Sequence, residues 1–396
     1  MSDLKQKLAA LSPEQREALE QKIKHKKAEQ EAQGKTSPSH RRMNFSLIFF
    51  SGDGSTDQPD KYKLVLESAK FADRNGFAAV WTPERHFQPI GGLYPNPSLL
   101  SAAIASVTDN IQLRAGSVVL PLHHPIRVAE DWSVVDNLSN GRAAISVATG
   151  WHPADFVLNP ELYESRKEVM FHSLDQIRRL WRGEAVSYRD IAGEAVDVRI
   201  LPRPIQRELP IFLTASGNPA TWEKAGELGF NILCSLANHP AEGLKERIQL
   251  YRQTREKHGH DPGAGIVSVM LHTYVGDNDK EVKDLVREPL RDYLNTFLGQ
   301  YETPMNPYQD EKVMNILNND RDTLINFAFE KYFQMSSLMG SKEKCRTMVE
   351  RLRQYGVDEI ACLLDYGLDV ETIMEGLHHL AELRNEYAPL EAQIGL

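Results

Sequence analysis

The feature that most constrains this chain is an alternation. Eight short apolar runs rich in β-forming residues recur along it, at Phe45–Phe50, Ala78–Thr82, Ile111–Val119, Ala143–Ala148, Ile211–Ala215, Asn231–Cys234, Ile266–Thr273 and Glu359–Leu364. Stretches of helical period separate most of them. A continuous apolar run suits a parallel strand covered on both faces, because neither side of it can be left in water. Eight strand-and-helix units predict a closed α/β barrel of the (β/α)8 TIM type rather than an open sheet. A length of 396 residues fits one such barrel with insertions.

Local signals mark the intervening helices. Tyr62 to Asn75 ends at Gly76, a residue free to take the left-handed turn that closes a helix. Pro97 to Thr108 and Pro125 to Leu138 start with proline, whose fixed φ suits a first helical position. Arg166 to Trp181 is amphipathic and stops before Gly183, and Ser341 caps a helix running to Gly356. Two gaps exceed one helix, between the fourth and fifth strands and between the seventh and eighth. The second gap, Asp284 to Gln334, reads as a helical insertion over the C-terminal mouth of the barrel; a purely scaffolding insertion is the plainer alternative.

Residues 1–42 differ from the rest and read as a helical extension and linker preceding a barrel over 43–396. Ser12-Pro13-Glu14-Gln15 has the form of a capping box with proline at the first helical position, and Gly34 to His40 reads as a linker. The helix has few apolar positions, so it is either a docking element or a solvated tail. The net charge of −9 argues against nucleic acid as the main partner. Cys234, Cys345 and Cys362 are far apart and form no CxxC pair, which fits a reducing cytoplasm and no disulfide framework. Neither a secretory h-region nor an apolar run of spanning length is evident, so no membrane partner is expected.

In a barrel of this kind the chemistry gathers at the C-terminal ends of the strands. After the second run stands Trp81-Thr82-Pro83-Glu84-Arg85-His86-Phe87, with three ionisable side chains directly beyond a buried strand; a salt-bridged strand end is the bland alternative. The third run carries Ala115-Gly116-Ser117, small residues that let a flat ligand approach the backbone. His123-His124 lack a carboxylate at ligand spacing, so no metal is expected. Thr149 follows the fourth run and Arg166 opens the next long helix. Ser216-Gly217-Asn218 follows the fifth run and opens another, so hydroxyl, backbone N–H groups and helix dipole could meet an anion with Arg166 as fixed charge. Neither a G-x-G-x-x-G fingerprint nor a G-x-S-x-G elbow is present.

These motifs, in this order, resemble the luciferase-like FMN-dependent monooxygenases. Gly76-Phe77-Ala78-Ala79-Val80-Trp81 through Glu84-Arg85-His86-Phe87, Asn96-Pro97, Val119-Leu120-Pro121 through His124-Pro125-Ile126-Arg127-Val128-Ala129-Glu130-Asp131, Asp136 to Arg142 and Ala215-Ser216-Gly217 carry the resemblance, which covers about Met43 to Gly367. Within the superfamily the chain is similar to the group found in polyketide and nonribosomal peptide biosynthesis, and its Leu11 to Arg16 start looks like an assembly-line linker.

The resemblance implies reduced FMN supplied by a separate flavin reductase, with O2 as co-substrate reacting to a C4a-peroxyflavin. It implies hydroxylation or Baeyer–Villiger oxidation of an acyl intermediate, held by an acyl or peptidyl carrier protein. It places Gly116 and Ser117 against the isoalloxazine across a non-prolyl cis peptide, Thr149, Arg166, Ser216 and Gly217 at the phosphate, and Glu84, Arg85 and His86 on the reacting side. Homodimerisation is implied in the same way. Two departures stand out: Arg85 replaces the first of the two histidines that follow the glutamate in luciferases, and Thr149 stands where luciferases have arginine. Light emission is therefore not expected. Deazaflavin-dependent hydride transfer on the same fold and a non-catalytic flavin-binding assembly protein are the alternatives.

Overall fold

The computed structural model describes residues 42–50, 60–88, 90–236, 242–299 and 311–388. Apart from Arg42, the extension expected over residues 1–42 lies outside them, as does the segment from Ser51 to Ser55. The statements below concern the described residues.

Eight parallel strands close on themselves. They are β1 (Asn44–Ile48), β2 (Ala79–Thr82), β3 (Gln112–Val119), β4 (Ala143–Ala148), β7 (Ile211–Ala215), β8 (Asn231–Ser235), β9 (Val267–Gly276) and β11 (Glu359–Leu363). Each pairs with the next in that order, β8 pairs β9 through Ile232 and Val267, and β11 returns to β1 through Ala361 and Ser46. All eight runs read from the sequence are these strands, shifted by three residues or fewer at their ends. The first stops early because Phe50 N–H leaves the ladder for the Asp365 carboxylate, at 3.0 and 3.1 Å.

The helices α1 (Lys63–Arg74), α2 (Pro97–Ala105), α3 (Pro125–Leu138), α4 (Arg166–Arg182), α5 (Pro219–Leu228), α6 (Glu242–Lys257), α9 (Lys342–Tyr355) and α10 (Val370–Asn385) follow the strands. Asn96 caps α2 by accepting from Leu99 N–H, and Ser341 caps α9 by accepting from Lys344 N–H. Gly183 ends α4 at φ +91°, a backbone angle at which a Cβ is strained. Inside the barrel, Ile48, Trp81, Phe212, Leu233 and Leu363 form one apolar layer.

Below that layer the barrel holds an ion pair. Glu359, fully buried, takes Arg114 Nη1 at 2.8 and 3.0 Å and the hydroxyls of Ser46 and Ser268 at 2.8 and 3.0 Å. The Arg114 guanidinium lies over the rings of both Trp81 and Phe212, at 4.8 and 4.7 Å. Four barrel strands, β1, β3, β9 and β11, are thus tied by these hydrogen bonds, through partners far apart in sequence.

Both wide gaps hold structure that the strand count does not foretell. Between β4 and β7, 3-10 turns at Pro153–Leu158 and Pro160–Leu162 precede α4, and an antiparallel hairpin, β5 (Val186–Arg189) with β6 (Ala195–Val198), follows it. Between β9 and β11 stand α7 (Asp279–Gly299), α8 (Glu311–Met335) and the short strand β10 (Leu338–Ser341), which pairs parallel with the C-terminal end of β9. Val282, Val286, Leu290 and Leu294 recur every four residues along α7 and meet Phe329 and Phe333 of α8. The same cluster includes Tyr274 and Tyr366, at the C-terminal ends of β9 and β11. Burial of each such side chain stabilises by roughly 1.5–3 kcal/mol, which fixes the helical insertion on the mouth side of the barrel, where the sequence spacing puts it. Among the described residues, no helix is long and apolar enough to cross a membrane.

Candidate functional site

The interior is filled up to the Trp81 and Phe212 layer and opens above it. Thr214 shows this: it follows the buried Phe212 by two residues on the same face of β7, between buried Leu213 and Ala215, yet is exposed. Its hydroxyl meets Ser146 Oγ at 2.8 Å and also Ser117 Oγ, so three adjacent strands present a row of hydroxyls at the start of the mouth.

Gly116 lies on the floor of this opening. A Cβ there would stand 3.1 Å from Trp81 Cβ, 3.3 Å from Trp81 Cε3 and 3.5 Å from Ile48 Cδ1. The Gly116–Ser117 peptide is cis, and the β3–β4 register shifts between Ala115 and Val118. The floor is flat because the residue above the indole has no side chain.

Glu84 forms one wall. Its carboxylate is buried; Oε1 accepts from His86 Nε2 at 2.9 Å and from His123 Nε2 at 2.5 Å, and Oε2 accepts from Val119 N–H at 2.8 Å. Burial alone would raise this carboxyl's pKa, but the hydrogen bonds from His123, His86 and Val119 outweigh it and hold the group below the ordinary glutamate range. Burial would lower His123, yet the hydrogen bond to Glu84 and its charge carry the imidazole above the usual histidine value. Glu84 is therefore a charged acceptor at neutral pH.

The adjacent histidines part ways. His123 turns to Glu84, whereas His124 caps α3, its Nδ1 accepting from Ile126 N–H at 3.3 Å. The Arg85 guanidinium lies over the rings of Phe50 and Trp151, at 5.6 and 5.2 Å, while both Glu84 oxygens are engaged as described. Behind it, His152 and Asp155 are buried; burial and the Arg85 charge push His152 below the usual histidine value, and burial raises Asp155.

The residues expected at a phosphate come from neighbouring strand ends and two helix starts. β4 pairs β7 through Ile145 with Ile211 and Val147 with Leu213, which brings Thr149 and Ser216 out at adjacent places on the rim. Ser216 is exposed, and its carbonyl accepts from Trp222 Nε1 at 2.9 Å, which anchors the turn to α5. Asn218 caps that helix through Ala220 N–H. Arg166 is held at the start of α4 by Tyr163, whose carbonyl takes Nη1 at 2.5 Å and whose ring lies 4.2 Å from the guanidinium carbon.

The structure thus brings Glu84 and His86 together and puts Gly116 and Ser117 beside the floor. Sequence spacing missed His123, which stands 39 residues from Glu84, and the hydroxyls of Thr214 and Ser146. The alternation of side chains along β7 was the available signal for Thr214, since Phe212 and Thr214 share a face.

The surroundings suit a planar ring: a floor that a Cβ would disturb and hydroxyl groups at its edge, with Arg166 held by Tyr163 at the start of α4. The fold is shared with known proteins. It is 24% identical over 360 residues to the oxygenase component of the flavin-dependent trigonelline monooxygenase of Acinetobacter baylyi, covering 88% of this chain and 95% of that protein. A monooxygenase of Streptomyces bottropensis superposes with a TM-score of 0.70 at 23% identity, covering 87% of this chain and all of the other. The oxygenating constituent of 3,6-diketocamphane monooxygenase of Pseudomonas putida, a type II Baeyer–Villiger enzyme in complex with FMN, does so at 0.68 and 20% identity, covering 86% and 97%. The two structural likenesses establish the fold. Residues 42–359 match the sequence profile of the luciferase-like monooxygenases, and the chain belongs to that family.

Proposed function

We propose that this monooxygenase is the oxygenase component of a two-component system that uses reduced FMN from a separate reductase, together with O2, to oxygenate an acyl intermediate. The observation that carries the reading is the flat floor at Gly116 set beside the Glu84 wall. Reduced FMN, when bound, supplies the two electrons that activate O2.

The chain's own residues do the rest. Gly116 and Ser117 would lie against the isoalloxazine; Thr149, Arg166, Ser216 and Gly217 would hold the phosphate. The insertion helices α7 and α8 would restrict water at the mouth, which strengthens the electrostatic interactions made there. Glu84 and His86 handle a proton at the reacting side, and the Arg85 charge stands behind them. The acceptor is an acyl chain with a carbonyl, delivered on a carrier protein. Similarity to assembly-line monooxygenases supports that part, as does the Leu11 to Arg16 segment. The active species is a homodimer by resemblance to the luciferase-like superfamily.

Intact-mass analysis of products tests the reading. Enzymatically reduced FMN, O2 and a panel of free and carrier-bound acyl thioesters are supplied to the full chain. A gain of one oxygen, placed by fragmentation, is the expected result and distinguishes hydroxylation from insertion. Substrate oxidation by a deazaflavin without O2 uptake would replace this reading with hydride transfer.

A further inference from the structure

Glu84 Oε1 is shared. His86 Nε2 lies 2.9 Å from it and His123 Nε2 2.5 Å, while Oε2 is occupied by Val119 N–H. An ionised carboxylate oxygen can only accept, so both Nε2 atoms carry hydrogen. The ring nitrogen that a histidine uses in one hydrogen bond decides which nitrogen is left for chemistry. The His86 side chain is nearly buried at 10% exposure, whereas that of His123 is 30% exposed.

We propose that His123 is a positioning residue that acts through Glu84: its Nε2–H on Oε1 keeps the carboxylate an acceptor, which holds His86 as the Nε2–H tautomer with Nδ1 as its proton-accepting atom. A proton released at the mouth then adds to the Nδ1 lone pair and forms an imidazolium, whose charge the Glu84 carboxylate offsets. Were Glu84 protonated, its O–H would donate to His86 Nε2, the tautomer would reverse, and Nδ1 could no longer accept. Loss of the acceptor state is thus loss of the base.

The charged groups around this unit come from four elements. Asp131 on α3 faces His123 and is itself paired with Arg127 at 3.1 Å. Arg85 flanks Glu84 in the loop after β2, and Asp155 faces Glu84, Arg85 and His86 from the turn at Pro153–Leu158. His152, in the loop after β4, faces Arg85. His123 and His86 are the two imidazole donors on Glu84 Oε1.

The experiment is a carboxyl 13C NMR titration of Glu84 in the full chain without flavin, assigned with Glu84→Gln and run on wild type, His123→Gln and His123→Leu. It is read on the protein alone and stands apart from the proposed reaction. Wild type is expected to titrate below the ordinary glutamate range. His123→Leu is expected to move the midpoint up by about one unit, the size of one lost charge-assisted partner. His123→Gln, which keeps an N–H donor, is expected to recover part of that shift. In turnover, the acid limb of kcat should move up in the same order with little change in KM for reduced FMN. An unchanged Glu84 midpoint in His123→Leu overturns the proposal. So does loss of fold in both variants, which would assign His123 to the scaffold.

Discussion

Gly116 lies directly on the Trp81 indole, with space for a Cβ only 3.1 Å from Trp81 Cβ. The indole cannot give way easily. It is fully buried, its Nε1 donates to Ser46 Oγ at 2.9 Å, and it meets Phe212 edge-on at 4.9 Å. Gly116→Ala is therefore expected to lift the floor rather than sink into it. The predicted outcome is at least a tenfold weaker FMN affinity, with a stability loss of about 1–3 kcal/mol from overpacking. Flavin fluorescence titration and urea unfolding measure the two effects.

On the proposed reading Arg166 meets the phosphate of FMN and not its ring. Its guanidinium is oriented by the Tyr163 carbonyl and ring, which suits it to a phosphate and not to a planar ring on the floor. Arg166→Gln should raise the Kd for FMN tenfold or more, since a charge-assisted hydrogen bond is worth about 1.5–3 kcal/mol. Riboflavin, which has no phosphate, should bind the variant and the wild type alike. Equal weakening for both ligands would remove Arg166 from the phosphate site.

The Arg114–Glu359 pair is a stability element and not a catalytic one. Arg114→Leu would strand a buried carboxylate among Ser46, Ser268 and the Trp81 layer. Such a loss typically costs about 3–5 kcal/mol. The double variant Arg114→Leu with Glu359→Gln should recover much of it, because the neutral amide no longer needs a cation. A chemical-denaturation double-mutant cycle would show this as strong coupling; additive losses would count against it.

His272 makes the fold sensitive to acid. It is buried near the mouth, with the rings of Tyr293, Tyr332 and Tyr366 at 4.7, 5.6 and 5.6 Å, and burial pushes its pKa down to about 3. The unfolded chain takes up this proton near pH 6.5 and the folded chain does not. Stability is therefore lost as pH falls from about 6.5 toward 3, with a slope approaching 1.4 kcal/mol per pH unit from this one group. His272→Phe should flatten that slope in unfolding measured from pH 7 to 4.5. A variant with the wild-type slope would show that other groups set the acid limit.

Much of the fold is legible in the sequence because it is local. The period of apolar residues marks each strand, and Asn96, Ser341 and Gly183 mark helix ends through bonds within a few residues. Gly116, Ser117 and Ser216 could likewise be picked out, since strand ends at a barrel mouth follow from strand order. The hairpin of β5 and β6 was not legible: its strands are short and mostly exposed, so they lack an apolar face to announce them.

What the sequence by itself determined is the number and order of strand–helix units and the residues that reach the mouth. Only the tertiary structure decided which of them meet. His123 comes to Glu84 across 39 positions because β2 and β3 lie side by side, and Glu359 comes to Arg114 across 245 because closure of the barrel turns β11 and β3 toward the same interior. The floor beneath Gly116 is flat for the same reason: the inward residues of neighbouring strands fill the barrel up to Trp81 and Phe212, and the backbone above them is left bare.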